Sequence, residues 1–232
     1  MGIGIFDKYP PCPGNPDHYT WVETKEKNFW RKKRGSVKPA VLNDALRRSV
    51  EHTRLAAPAA RRLIDILRPH MHGITTGRLN VRFVNGLRAS LKEKGQMQLR
   101  YLKDVELQND YHWEQMWRSH FQAYSDAYSV TLKIDLYPGC IKIPCRHVSD
   151  FYFDAILVST NLQPEERIFT DMVTSQLYPV KDTPSTTCTL QLDLPHNKDW
   201  MLVLKLSTLE GNALSAHTKY YRMKVISGRE SA

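Results

Sequence analysis

Ser129-Val130-Thr131-Leu132-Lys133-Ile134-Asp135-Leu136 alternates polar and apolar residues without a break. Successive side chains of a strand point to opposite faces, so a period of two predicts a strand with Val130, Leu132, Ile134 and Leu136 turned inward. The pattern returns downstream. Phe151, Phe153, Ala155 and Leu157 alternate with Tyr152, Asp154, Ile156 and Val158. Cys188, Leu190, Leu192 and Leu194 alternate with Thr189, Gln191 and Asp193, and Trp200, Leu202, Leu204 and Leu206 with Met201, Val203 and Lys205. A last strand is expected over residues 217–226. Turn signals punctuate these runs: Pro138-Gly139, Pro164-Glu165, Pro184-Ser185, Pro195-His196-Asn197 and Gly211-Asn212. Short strands between such turns predict an antiparallel β-sandwich of immunoglobulin type over residues 96–232.

Upstream of Gly95 the period changes to that of a helix. Asn43 is the expected N-cap of a first helix, with Asp44 in its first turn. Leu46, Val50, Ala57, Ala60, Ile64 and Leu67 form its expected apolar stripe. Pro58 should kink or split it. After a turn over residues 69–77, a second helix is expected to run from about Thr76 to Lys94, with Leu79, Phe83, Leu87 and Leu91 at strict fours. These four are expected to pack on Leu46, Val50, Ile64 and Leu67 as a helical hairpin over residues 43–95. Gly86 offers room for a close approach to the first helix.

Before the helices, four prolines in residues 9–17 forbid regular structure. Residues 18–23 and 27–31 read as a hairpin around a short polar break. A basic arm follows, from Arg31 to Pro39, expected to be extended. Residues 1–42 thus form an N-terminal loop, hairpin and arm. The whole is an α+β chain.

Charge is unevenly spread. Residues 31–100 hold 17 Lys and Arg against 4 Asp and Glu, and the other residues sum to −4, giving the chain's net +9. Arg47, Arg54, Arg61 and Arg68 recur at sevens, nearly two helical turns, and so stack along one face with a slow drift. With Arg31, Lys32, Lys33, Arg34 and Lys38 of the arm they form the candidate binding surface. Like charges this dense imply an acidic partner.

Other classes fit less well. Hydrophobic content of 41% with plentiful aromatics excludes a disordered chain. No apolar stretch approaches the ~20 residues of a membrane helix. The first residues lack a secretory signal, and Phe6 stands where a myristoylation motif wants Ser or Thr. The expected location is the cytoplasm, away from membranes. Cys12, Cys140, Cys145 and Cys188 form no CxxC pair and imply no disulfide framework. Cys140, Cys145 and His147, with Cys188, are zinc-type ligands at a spacing unlike a known finger, so no metal and no cofactor are expected.

The arrangement resembles a set of uncharacterised bacterial proteins. The shared pieces are a Tyr19-Thr20-Trp21 strand, the basic segment Arg31 to Arg34, a helical region, and a final hairpin of the type Met201-Leu202-Val203-Leu204 through Met223-Lys224-Val225. The Pro-rich residues 9–17 depart from the Gly-rich lead of that set. The resemblance implies the immunoglobulin-like fold and no activity.

Tyr111-His112-Trp113-Glu114-Gln115-Met116-Trp117-Arg118-Ser119-His120 is the other dense segment. In a cleft, Glu114 could orient His112 or His120 as a general base. The segment lacks a nucleophile, a phosphate loop and a paired carboxylate, so no enzyme is expected. Trp113, Met116 and Trp117 are expected to plug the joint between helices and sandwich. The expected function is structural: self-association, or docking of an acidic partner, through the basic arm and helix face, with strand edges adding routes to assembly. Nucleic-acid backbone binding through the same charges is the alternative.

Overall fold

The computed structural model describes residues 10–24, 26–33, 43–143, 147–196 and 198–228. The chain forms two compact units, Met1–Arg48 and Ser49–Ala232. The first holds a hairpin of β1 (Tyr19–Glu23) and β2 (Asn28–Lys32). Its register pairs Trp21 with Trp30, whose rings meet edge to face at 5.2 Å. Thr24 closes the turn, its Oγ1 accepting the Lys27 N–H at 3.0 Å. Arg31 and Lys32 therefore belong to the β2 ladder rather than to an extended arm. Arg34 and Lys38 lie outside the described residues.

Helix α1 (Asp44–Leu67) opens on Asn43, whose Oδ1 accepts the Leu46 N–H at 2.8 Å. It runs through Pro58 without a break. Pro58 is exposed, so water can replace the donor that proline lacks. The buried stripe is Ala56, Ala59, Ala60, Leu63 and Leu67. It keeps Ala60 and Leu67 of the expected stripe, with Ala57 and Ile64 half-buried against the core, but departs from it in the first turns, where Leu46 and Val50 are 51% and 56% exposed. The short alanine side chains, not the larger aliphatics of the first turns, face the core.

Helix α2 (Leu79–Lys94) buries Leu79, Phe83, Val84, Leu87 and Leu91 as expected. It stops at Gly95, left-handed at φ 70°, whose N–H caps the Leu91 carbonyl. Gly86 does permit a close approach, but to the 3-10 turn Leu99–Leu102: a Cβ there would lie 2.8 Å from the Tyr101 carbonyl oxygen. A hydrogen bond also links the helices: Arg88 donates to Ser49 Oγ at 2.7 Å.

The remaining strands are β3 (Phe121–Ser125), β4 (Ser129–Leu136), β5 (Asp150–Ser159), β6 (Phe169–Thr174), β7 (Tyr178–Pro179), β8 (Thr186–Asp193), β9 (Trp200–Glu210), β10 (Ala213–Leu214) and β11 (Arg222–Gly228). All pairings are antiparallel. One sheet has β9 and β5 at its centre, with β10 and β11 beside β9 and β6 and β7 beside β5. The other has the order β3-β4-β8.

Two cores share the central sheet. Phe151, Phe153, Ala155, Leu157, Leu202, Leu204 and Leu206 meet Val130, Leu132, Ile134, Leu190 and Leu192 of the three-stranded sheet. This is the sandwich. The opposite face of β5, β9 and β11, carrying Ile156, Val158, Met201, Val203, Met223 and Val225, forms one core with the buried residues of α1 and α2. Strands β5 and β9 are consequently buried on both faces. Trp113, Met116 and Trp117 belong to the sandwich core, not to a joint with the helices.

Candidate functional site

Helix α1 turns its alanine-led stripe inward, so its opposite side must face solvent. That side carries the arginines spaced at sevens: Arg54, Arg61 and Arg68 are all exposed. At 1.5 Å per residue they stand about 10 Å apart. Arg68 pairs with exposed Asp65 at 2.8 Å, an i,i+3 bridge of small worth. Among the described residues, Arg54 and Arg61 make no hydrogen bond or ion pair. Arg47 is exposed in the first turn of α1 and belongs to the first unit, as do Arg31, Lys32 and Lys33, exposed at the end of its hairpin.

Arg54 borders a groove of about 850 Å³. Its walls are Leu55, Pro58, Ala59 and Arg62 of α1, Leu91 and residues 95–98 and Arg100 after α2, and Asn161, Leu162, Gln163, Pro164 and Asp199. The lining is mostly apolar with cations at its margin, and Leu55 is 49% exposed beside it. Gln98 adds an unsatisfied group: its Oε1 is buried with no donor among the described residues.

The 160–166 wall is held in one conformation. Leu162 is buried at φ 61°, a left-handed backbone that a leucine adopts only under constraint. Glu166 supplies it, accepting from the Asn161 N–H at 2.8 Å and Thr160 Oγ1 at 3.1 Å and pairing with Lys198 at 3.0 Å. Burial pushes its carboxyl up, but these bonds prevail and hold it below the ordinary range. Arg62 fastens the same loop to α1, donating to the carbonyls of Gln163, at 2.7 Å, and Glu166. Arg62 is thus spent inside the wall, whereas Arg54 makes no such bond among the described residues. Composition flagged the arginine face; the groove depends on residues a hundred positions apart and left no sequence signal.

In the histidine-rich segment Glu114 is not the carboxylate that meets a histidine. Glu114 binds Lys224 at 3.2 Å, and His112 Nδ1 meets Glu106 instead, at 2.5 Å. His120 is exposed. Of the thiols, Cys140 and Cys188 are buried in the sandwich core, and burial raises the pKa of both. His147 is exposed and Cys145 lies outside the described residues. No described helix is long and apolar enough to cross a membrane. Comparison with protein-family models, curated proteins and solved structures finds no match.

Proposed function

We propose that the chain is a non-enzymatic interaction protein that docks an acidic protein surface, a second copy of itself included, on the arginine face of α1. The observation that carries it is the pairing of unengaged Arg54 with a groove whose walls are largely apolar. An acidic protein segment can offer both a carboxylate to the guanidinium and an apolar side chain to the groove. A nucleic-acid backbone offers phosphate alone, which favours the protein reading over the nucleic-acid one. The basic hairpin end, Arg31 to Lys33, supplies further charge to the same kind of partner.

The test is light scattering coupled to size exclusion at about 50 and 200 mM salt, a range over which phosphate contacts weaken steeply. Poly-glutamate and duplex DNA serve as probes. Docking of an acidic surface predicts a dimer or a poly-glutamate complex at low salt, lost in the Arg54→Glu/Arg61→Glu variant. Tight, salt-steep binding of DNA by a chain that stays monomeric throughout would overturn the proposal.

A further inference from the structure

The helices cover only part of the central sheet with apolar groups. The row Ile156–Val203 lies in their core, but the next row on the same face is Asp154–Lys205, register partners across β5 and β9. Both are buried, at 9% and 6% exposure. Charges at this depth are costly unless each finds hydrogen-bond partners. Asp154 has one: Thr174 Oγ1 donates to its Oδ1 at 2.7 Å. Lys205 has none. Among the described residues no acceptor lies within bonding distance of its Nζ, which instead sits 5.8 Å from the centre of the Tyr221 ring.

The groups that face Lys205 come from three further places. Asp154 and Tyr152 belong to β5, Tyr221 precedes β11, and His70 ends the 3-10 turn after α1. Burial, and then the nearby Lys205 charge, lower the His70 pKa, so the imidazole is neutral at pH 7. Burial raises both tyrosines, which stay protonated. Burial likewise lowers the Lys205 pKa, opposed by Asp154. A lysine is made nucleophilic by such desolvation. The neighbouring carboxylate makes the spot unfavourable for an anion but not for a neutral carbonyl, and an exposure of 6% excludes a large one.

We propose that Lys205 is a reactive amine that captures small aldehydes as an imine. The lone pair of the neutral Nζ attacks the carbonyl carbon, and the C=O π pair passes to oxygen. The two amine hydrogens leave with that oxygen as water, and a C=N bond remains. No oxidant or reductant takes part.

The full chain is treated briefly with propanal and sodium cyanoborohydride at pH 7, and propylated lysines are mapped by mass spectrometry of its peptides. Lys205 should react several-fold faster than the exposed Lys92 and Lys103. Its rate should level off at a lower pH than theirs, and the preference should vanish when the chain is unfolded in guanidinium before labelling. Modification of Lys205 at a rate equal to or below that of Lys92 and Lys103, the protection expected of a merely buried side chain, would overturn the proposal. The wild-type chain carries the readout, so no variant has to fold.

Discussion

A Cβ added to Gly73 would lie 2.4 Å from the Tyr221 ring, so the two residues meet only because Gly73 has no side chain. Gly73 also holds φ 75°, a left-handed conformation. Tyr221 cannot yield readily: it is 1% exposed and its hydroxyl donates to the Ser215 carbonyl at 2.7 Å. Gly73→Ala should therefore combine backbone strain with overpacking and cost about 2–4 kcal/mol in urea unfolding. Gly95→Ala is the control. It shares the left-handed φ but meets nothing within 4 Å, so strain alone, about 1–2 kcal/mol, is expected. Equal losses in the two variants would show that the ring contact is immaterial.

Phe83 is fully buried among both helices and the central sheet, whereas Val50 is 56% exposed. Phe83→Ala should cost about 3–5 kcal/mol. Val50→Ala should stay within about 0.5 kcal/mol. Denaturant melts of the pair check which stripe of α1 is the core stripe: a loss of core size at Val50 would restore the stripe expected from spacing.

The difference at α1 shows what periodicity leaves open. The expected and observed stripes share Ala60 and Leu67 but part toward the N-terminal turns, where spacing continues through Val50 and Leu46 while the core ends at Ala56, and the residues facing a helix decide how far its apolar stripe is used. Strand β4 was legible to its ends, because one of its faces is buried against a sheet and alternation reports that directly. In β5 and β9 the alternation was real but incomplete. Ile156, Val158, Met201 and Val203 are apolar where a solvated face would be polar, and they mark the side the helices cover. Strands β3 and β6 are mostly exposed, and β7 and β10 have two residues each, too short for a period to show. The arginine face was legible as charge. The groove and the Lys205 site were not, since each is assembled from residues far apart in the chain.

Gln108 is 1% exposed and joins three stretches of backbone. Its Oε1 accepts the Thr75 N–H at 2.8 Å, and its Nε2 donates to the Thr218 carbonyl at 3.0 Å and to those of Gly73 and Tyr221 at 3.5 Å. Gln108→Leu keeps the bulk and strands these groups without partners. A loss of about 2–4 kcal/mol is expected, with faster hydrogen exchange at the Thr75 amide. Unchanged protection at that amide would mean that water replaces the side chain.

Glu166 ties the groove wall to pH. Burial pushes its carboxyl up, yet Lys198, the Asn161 N–H and the Thr160 hydroxyl together hold the folded pKa below the ordinary glutamate range. A carboxylate lowered on folding adds stability that is fully present above the unfolded pKa and is lost as pH falls through the folded one. Glu166→Gln keeps the shape and removes the charge, so at pH 7 it should destabilise the chain by about 1–2 kcal/mol. As pH falls from the unfolded value through the lower folded one, the wild type becomes protonated as well, and the gap between the two chains should close. Because Arg62 binds the carbonyl of this residue, the loosened loop should also weaken poly-glutamate binding at neutral pH. Paired urea melts at successive pH values read the first effect directly. A gap that stays constant through the carboxylate range would show that shape, and not charge, is what Glu166 contributes.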